Sequence, residues 1–336
     1  MAGRFGGTLR VVRPRPYDSA DPMRPGPPST FVALAAGLLA AVAAGCGTPG
    51  PTARPGGRPR VLATTTIVAD LVRQVAGDEA DVECLMGPGI DPHSYKPTPA
   101  DADRLARADL VVASGLHLEG RLAALLERLG GHRPVLAVGD RLPREQLLPV
   151  ADGLFDPHVW FDAGLWSQCP PLVAEALAEV HPAGAAGYRE RAATHAAALG
   201  ALDVRVRERI ATIPADRRVL VTAHDAFRYF SRAYGLEVVG VQGTSTESEA
   251  GLHDVNRIVE LLVSRRIPAV FVETSVADRN VAALVEGARA RGHDVAIGGR
   301  LHSDALGEPG SGAETLAGAL AENVETIVAA LAAERR

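Results

Sequence analysis

Runs of β-branched, apolar residues alternate with helix-length segments along most of this chain, and that alternation narrows the folds open to it. In the first half the strand-like runs are 61–65, 82–86, 110–113 and 135–138. In the second half they are 219–222, 237–241, 269–273 and 294–297. Helical patterns separate them, for example over 68–75, 119–128, 252–264 and 280–291. Repeated βα units build parallel sheets covered by helices on both faces. The expected fold is therefore α/β, with two lobes that each hold a roughly four-stranded parallel sheet. Between the two sets lies a stretch without strands. Residues 172–180 read as one helix closed by His181-Pro182. From 183 to 213, Tyr188, Ala192, His195, Leu199, Leu202, Val206 and Ile210 recur at helical spacing until Pro214. A helix of about 30 residues is roughly 45 Å long, enough to run along both lobes. As the connector it restricts hinge bending.

The ends of the chain carry a different message. Residues 31–44 are apolar and uncharged, preceded by arginine and followed by Gly45-Cys46. The run is short for a bilayer span and has the anatomy of a secretory signal. Its A-A-G-C ending resembles a bacterial lipoprotein signal, in which the cysteine is lipidated and becomes the mature N-terminus; Ala43 stands where leucine is usual. The expected organisation is a signal over 1–45 with its true start at Met23, and an anchored flexible linker over 46–59. A first lobe over 60–170, connecting helices over 171–214 and a second lobe over 215–336 follow. A single acyl chain on Cys46 would hold the body at the outer face of a membrane. Cys84 and Cys169 belong to no C-x-x-C pair and read as small buried residues, their pairing left open.

Charge excludes one class of partner. Residues 1–45 hold five of the 35 basic side chains and two of the 40 acidic ones, so the remainder carries a net charge of −8. An acidic body argues against nucleic acid and suits a cationic ligand.

The tripeptide Asp-Pro-His occurs twice, at 91–93 and 156–158, each time beyond a strand-like run. His224 and Asp304 occupy comparable places after the fifth and eighth runs. Ligands of open parallel sheets bind beyond the carboxyl ends of the strands. His93, His158, His224 and Asp304 are thus candidate ligands of one ion, two from each half. Imidazole nitrogen suits zinc and its neighbours, and a carboxylate adds a charged oxygen. A shared turn, with Asp capping and Pro fixing φ, is the plainer reading of the repeat. Glu247, Glu249 and Glu273 are the strand-end carboxylates that would compete or orient the imidazoles, and His117 and His302 are the nearest auxiliary histidines. The other histidines read as surface or core residues.

At these residues the chain resembles the metal-binding receptors of bacterial ABC importers, the TroA-like or cluster A-I family. The matching motifs are D-P-H-S-Y, F-D-P-H-V-W-F-D, V-L-V-T-A-H-D-A-F-x-Y-F, Q-G-x-S-T-x-S-E-A and G-G-x-L-x-S-D-A-L-G. The resemblance runs from about residue 60 to the C-terminus. It is closest to the branch with His at the third ligand position, where manganese-selective relatives carry Glu. It implies two α/β lobes on one long helix, with His93, His158, His224 and Asp304 around a buried ion. It also implies a monomer that delivers the ion to a permease driven by a cytoplasmic ATPase. The His- and acid-rich loop common in zinc-importer relatives is absent from the interval between the first two ligand motifs.

Nitrogen-rich ligation at low coordination favours zinc, with manganese next. Binding is expected to begin on His93 and His158, to be completed by His224 and Asp304, and to weaken below about pH 6 to 6.5. The alternatives are a secreted zinc-dependent hydrolase and a surface adhesin, since relatives have been linked to cell adhesion. A hydrolase needs an open metal position, and the chain has no H-E-x-x-H motif.

Overall fold

Thr65 and Thr98 show how the local sequence starts the first helices of the computed structural model, which describes residues 57–130 and 133–332. The expected signal, Cys46 and all but the last residues of the linker lie outside that range. The Thr65 side chain accepts the Val68 N–H and opens α1 (Thr66–Ala76). Thr98 and Asp101 form a reciprocal capping box ahead of α2 (Pro99–Arg107), with Pro99 in the first turn, where its missing N–H costs nothing.

These helices cover a parallel sheet of β1 (Arg60–Ala63), β2 (Asp81–Cys84), β3 (Leu110–Ala113) and β4 (Val135–Ala137), in the order β2-β1-β3-β4. α3 (Gly120–Gly130) connects the last two. Every residue of β3 is buried, as a central strand covered on both faces requires.

Past β4 the chain passes through short 3₁₀ turns into α4 (Ala163–Trp166), α5 (Cys169–Val180) and α6 (Ala185–Ile210). The long helix is 26 residues, about 39 Å at 1.5 Å per residue, shorter than the expected 30. Pro182–Gly184 form a 3₁₀ turn that delays its start. At the far end Arg218 donates to the carbonyls of Ala211 and Ile213, closing it before Pro214. The buried stripe of α6, from Tyr188 to Ile210, packs against α1 and α5 and later against the last helix of the chain. Arg191 on α6 also donates to the Val75 and Ala76 carbonyls that end α1.

The second half contains β5 (Val219–His224), α7 (Arg228–Tyr234), β6 (Glu237–Gln242), α8 (Leu252–Ser264), β7 (Ala269–Glu273), α9 (Arg279–Ala290), β8 (Ala296–Leu301) and α10 (Leu316–Ala332). Here the expected four-stranded sheet takes the form of two parallel ladders, β5-β6 and β7-β8, with β5 and β7 side by side. The His224 N–H turns to the Glu273 carboxylate instead of a carbonyl of the neighbouring strand. β8 also lies later than the expected 294–297. It runs through Gly298 and Gly299, with a register shift opposite Val270 and Phe271. A Cβ at Gly298 would stand 2.8 Å from the Phe271 ring and from Ala330, and Gly299 adopts φ +146 against Thr326. Glycine therefore lets α10 seat closely on this strand, at the expense of the β-branched signal by which a strand is recognised.

Aromatic packing joins the halves below the strand ends. Phe161 lies 4.3 Å from Phe227 and 6.4 Å from Phe230, centroid to centroid. Tyr229 adds direction to this apolar contact. Its hydroxyl accepts the Leu148 N–H at 2.9 Å and donates to the Asp156 carbonyl at 3.1 Å. Tyr229→Phe leaves that N–H without its acceptor, and urea denaturation of the metal-free protein should show a loss of about 1–3 kcal/mol.

Candidate metal centre

Each candidate ligand follows a strand in the chain, His158 only after the long segment of 3₁₀ turns past β4. His93 follows β2 and His158 follows β4, the two edges of the first sheet; His224 is the last residue of β5, and Asp304 follows β8. All four side chains are buried, and their donor atoms lie within 4.8 Å of one another. The Nε2 atom of His158 is 3.3 Å from that of His93 and 3.4 Å from that of His224. Asp304 turns Oδ1 to His158 and Oδ2 to His224, each at 3.3 Å from Nε2. A tetrahedron with metal–ligand bonds of about 2.0–2.1 Å has edges of about 3.3–3.4 Å. The spacing fits a small divalent ion.

The two D-P-H turns begin alike. Asp91 Oδ1 accepts the His93 N–H at 2.9 Å, and Asp156 Oδ1 accepts the His158 N–H at 3.0 Å. The same aspartate closes the turn and places each candidate histidine, so the turn reading and the ligand reading do not compete. Asp156 goes further and meets His158 Nδ1 at 2.7 Å. On the opposite side Glu273 meets His224 Nδ1 at 2.6 Å while accepting the His224 N–H. A carboxylate at Nδ1 holds the proton there and leaves the Nε2 lone pair facing the ion. Gly240, paired with Thr222, lets β6 pass the backbone just after His224, because a Cβ there would come within 2.4 Å of the Asp225 nitrogen.

Asp304 is held from behind. Ser275 donates to Oδ2 at 3.2 Å, whereas buried Oδ1 has no hydrogen-bond donor. Trp160 packs edge-on to His158 at 5.3 Å and donates its indole N–H to the Ser303 carbonyl, tying the loops of His158 and Asp304 together.

Burial by itself pushes all three imidazoles toward the neutral form. For His93 it prevails, with His158 and His224 adding to it, and the pKa falls to about 4. At His158 Asp156 and Asp304 more than offset burial, and the pKa rises to about 9. His224 is likewise raised, against burial, by Glu273 and Asp304. Burial would raise Asp304, but His224 and His158 hold it well below the usual carboxylate range. Two carboxylates thus flank the cluster, and Oδ1 of Asp304 within it is an orphaned acceptor. The donor set suits a cation.

Among the other residues singled out in the sequence, Glu273 orients His224. The remaining four have other surroundings. Exposed Glu247 pairs with Arg121 at 3.0 Å, and exposed Glu249 pairs with Arg279. His117 is exposed in a left-handed turn with φ +63. His302 is bracketed by Asn323, which accepts its N–H and donates to its carbonyl. Both glutamates occur in a polar loop where charge is stabilised by solvent, so their position near a strand end misleads. Asp156, Ser275 and Trp160 escaped sequence reasoning. For Asp156 a signal existed, since a second residue of the repeat was available to orient the first. Concavity is no guide here: a cavity of about 620 Å³ lies over β2 and α2, lined by Arg60, Asp81, Glu83 and Arg104, away from the four donors.

Over residues 61–330 the sequence matches the family described as zinc-uptake complex component A, periplasmic (ZnuA). It is 45% identical over 276 residues to the zinc-binding protein TroA of Treponema pallidum, covering 82% of this chain and 90% of that one. It is 43% identical over 302 residues to the manganese-binding lipoprotein MntA of Bacillus subtilis, covering 88% and 99%. The solved structure of the periplasmic zinc-binding protein TroA from Treponema pallidum overlays this fold with a TM-score of 0.81, covering 82% of this chain and all of that one at 45% identity.

Two measurements probe the centre. Protons on His158 and His224 compete with a cation, so affinity should rise with pH up to about 9 and fall below it, a higher window than the 6 to 6.5 expected from unperturbed histidine. Calorimetry in buffers of different ionisation enthalpy at neutral pH should register proton release on metal binding, shrinking as pH rises past that value. Asp156→Asn and Glu273→Gln should each weaken metal binding by about 10–100-fold, measured by competition with a chromophoric chelator.

Proposed function

Because the chain belongs to the zinc-uptake component A (ZnuA) family, we propose that it is an extracytoplasmic receptor that captures a divalent transition-metal ion and delivers it to an ABC importer. The observation that carries this reading is the buried set of three imidazoles and one carboxylate, spaced for one ion. His93, His158, His224 and Asp304 are its ligands. Two come from each half, so the ion is gripped between two α/β lobes, over 60–170 and 215–336, with 171–214 as their helical connector. The ion is cargo. Four protein donors leave no position for an activated water, and the family consists of transport receptors, not enzymes. The hydrolase and adhesin readings gain no support from this site.

Zinc is the favoured cargo, because nitrogen-rich tetrahedral ligation at these spacings matches it. Manganese is the second reading, and one observation favours it. Both oxygens of Asp304 face the donor cluster, so the carboxylate can bind through both and raise the coordination number. Cargo release implies a permease driven by a cytoplasmic ATPase as partner. Lipidation at Cys46 supplies the tether, the linker to residue 59 gives reach, and the receptor works as a monomer. No helix among the described residues is long and apolar enough to cross a membrane.

Anomalous diffraction from crystals grown separately with zinc and with manganese should place one ion on these four residues. Asp304→Ala should weaken zinc binding by about a hundredfold or more while the protein stays folded. If that variant binds zinc as tightly as the parent, the ligand assignment is wrong.

A further inference from the structure

The motif Q-G-T-S-T-E-S-E-A-G at 242–251 supplies no ligand, yet it touches the centre from two sides. It leaves the end of β6 and reaches α8. Its root is fixed beside His224, where the Asp225 N–H donates to the Gly243 carbonyl at 3.2 Å. Gln242 donates to the Ser248 carbonyl at 3.1 Å and folds the loop upon itself. Its tip crosses to the first half. There the Thr246 hydroxyl donates to Asp91 Oδ2 at 2.6 Å, and Glu247 pairs with Arg121 at the start of α3.

Asp91 is the aspartate of the first D-P-H turn, and it differs from its counterpart. Asp156 gives an oxygen to the imidazole of its own turn. Asp91 instead accepts the His93 N–H on Oδ1, and on Oδ2 the hydroxyls of Ser94 and Thr246. Asp91 therefore holds His93 through the backbone N–H and not the ring, and the second half helps to fix that carboxylate. It is also the outlying donor. His158, His224 and Asp304 are linked to one another at 3.3–3.4 Å, while His93 makes one such approach, to His158.

Building on the reading of this centre as a transport site, we propose that 243–251 is a strap whose Thr246–Asp91 hydrogen bond keeps His93 on the ion, and that His93 is the ligand surrendered first on release. Thr246 is a positioning residue in this scheme. With the bond intact, the His93 turn completes the fourfold shell. When the halves separate, the bond breaks, the turn is freed, and the ion is left on three donors. This order replaces capture starting at His93 and His158: the ion nucleates on His158, His224 and Asp304, and His93 closes over it. The nucleus spans both halves.

The test is the rate at which zinc passes from the loaded protein to excess chelator, followed by stopped flow. Thr246→Val removes the hydroxyl at nearly constant volume and should release zinc about tenfold faster, the scale of one hydrogen bond to a charged group. Thr246→Ser retains the hydroxyl and should restore the parent rate within about twofold. Thr246→Ala serves in place of valine if the branched side chain perturbs the loop. In a His93→Ala background Thr246→Val should add no further acceleration, as expected of two residues acting through one contact. A valine variant that releases at the parent rate, or one that accelerates the His93→Ala protein as much as the parent, overturns the strap while leaving the transport site intact. A parent protein that retains no zinc overturns the reading of the site and the strap with it.

Discussion

Four lone-pair donors crowded out of water, with two further carboxylates behind them, form an arrangement that repels itself unless a cation or protons intervene. That conflict dominates the structure around the strand ends. His158 and His224 relieve it in the metal-free protein by holding protons more tightly than a free histidine does, and Asp304 remains charged beside them. A divalent ion relieves it more completely, since it meets every lone pair at once. Asp156 and Glu273 ensure that this is the form the protein is built for, because they fix each imidazole with Nε2 turned inward.

The burden of maintaining such a cluster falls on the scaffold. His224 ends a parallel strand, Asp304 and His93 follow theirs by a short loop, and His158 comes from the long segment after β4. The strands are buttressed by α6, whose stripe from Tyr188 to Ile210 is buried against helices of both halves. Tyr229 and Trp160 cross the same boundary with directional bonds, one to the carbonyl of Asp156 and the other to that of Ser303. Both end next to ligand loops. Packing energy is thereby converted into ligand geometry, since neither loop can drift without breaking a buried hydrogen bond.

Much of this was legible from the residues. β-branched runs marked β3 and β7 at their observed bounds, and helical spacing marked α8. β8 was displaced because its centre is Gly298-Gly299, chosen for close packing against Phe271 and α10 and silent on any propensity scale. The second sheet was expected to be continuous, whereas its strands pair as β5-β6 and β7-β8, with the Glu273 side chain on the His224 N–H at the end of β5. Two of the candidate ligands, His93 and His158, stood out since D-P-H occurs twice. Their supports did not. Thr246 lies 155 positions from Asp91 and Trp160 lies 143 from Ser303, and such pairs exist only once the chain has folded. Glu247 and Glu249 were credible candidates by type and place, and only their exposed arginine partners assign them elsewhere.

The indole of Trp160 carries a consequence of another kind. The chain has two tryptophans, and both are buried, with rings 6.5 Å apart. One of them touches the His158 ring edge-on and is bonded to the residue before Asp304. Ultraviolet emission from these indoles therefore originates within one or two side chains of the candidate metal centre. An imidazolium is an efficient quencher of a neighbouring indole, and exchanging its proton for an ion alters that contact directly. The receptor contains its own optical gauge of occupancy, with no dye attached.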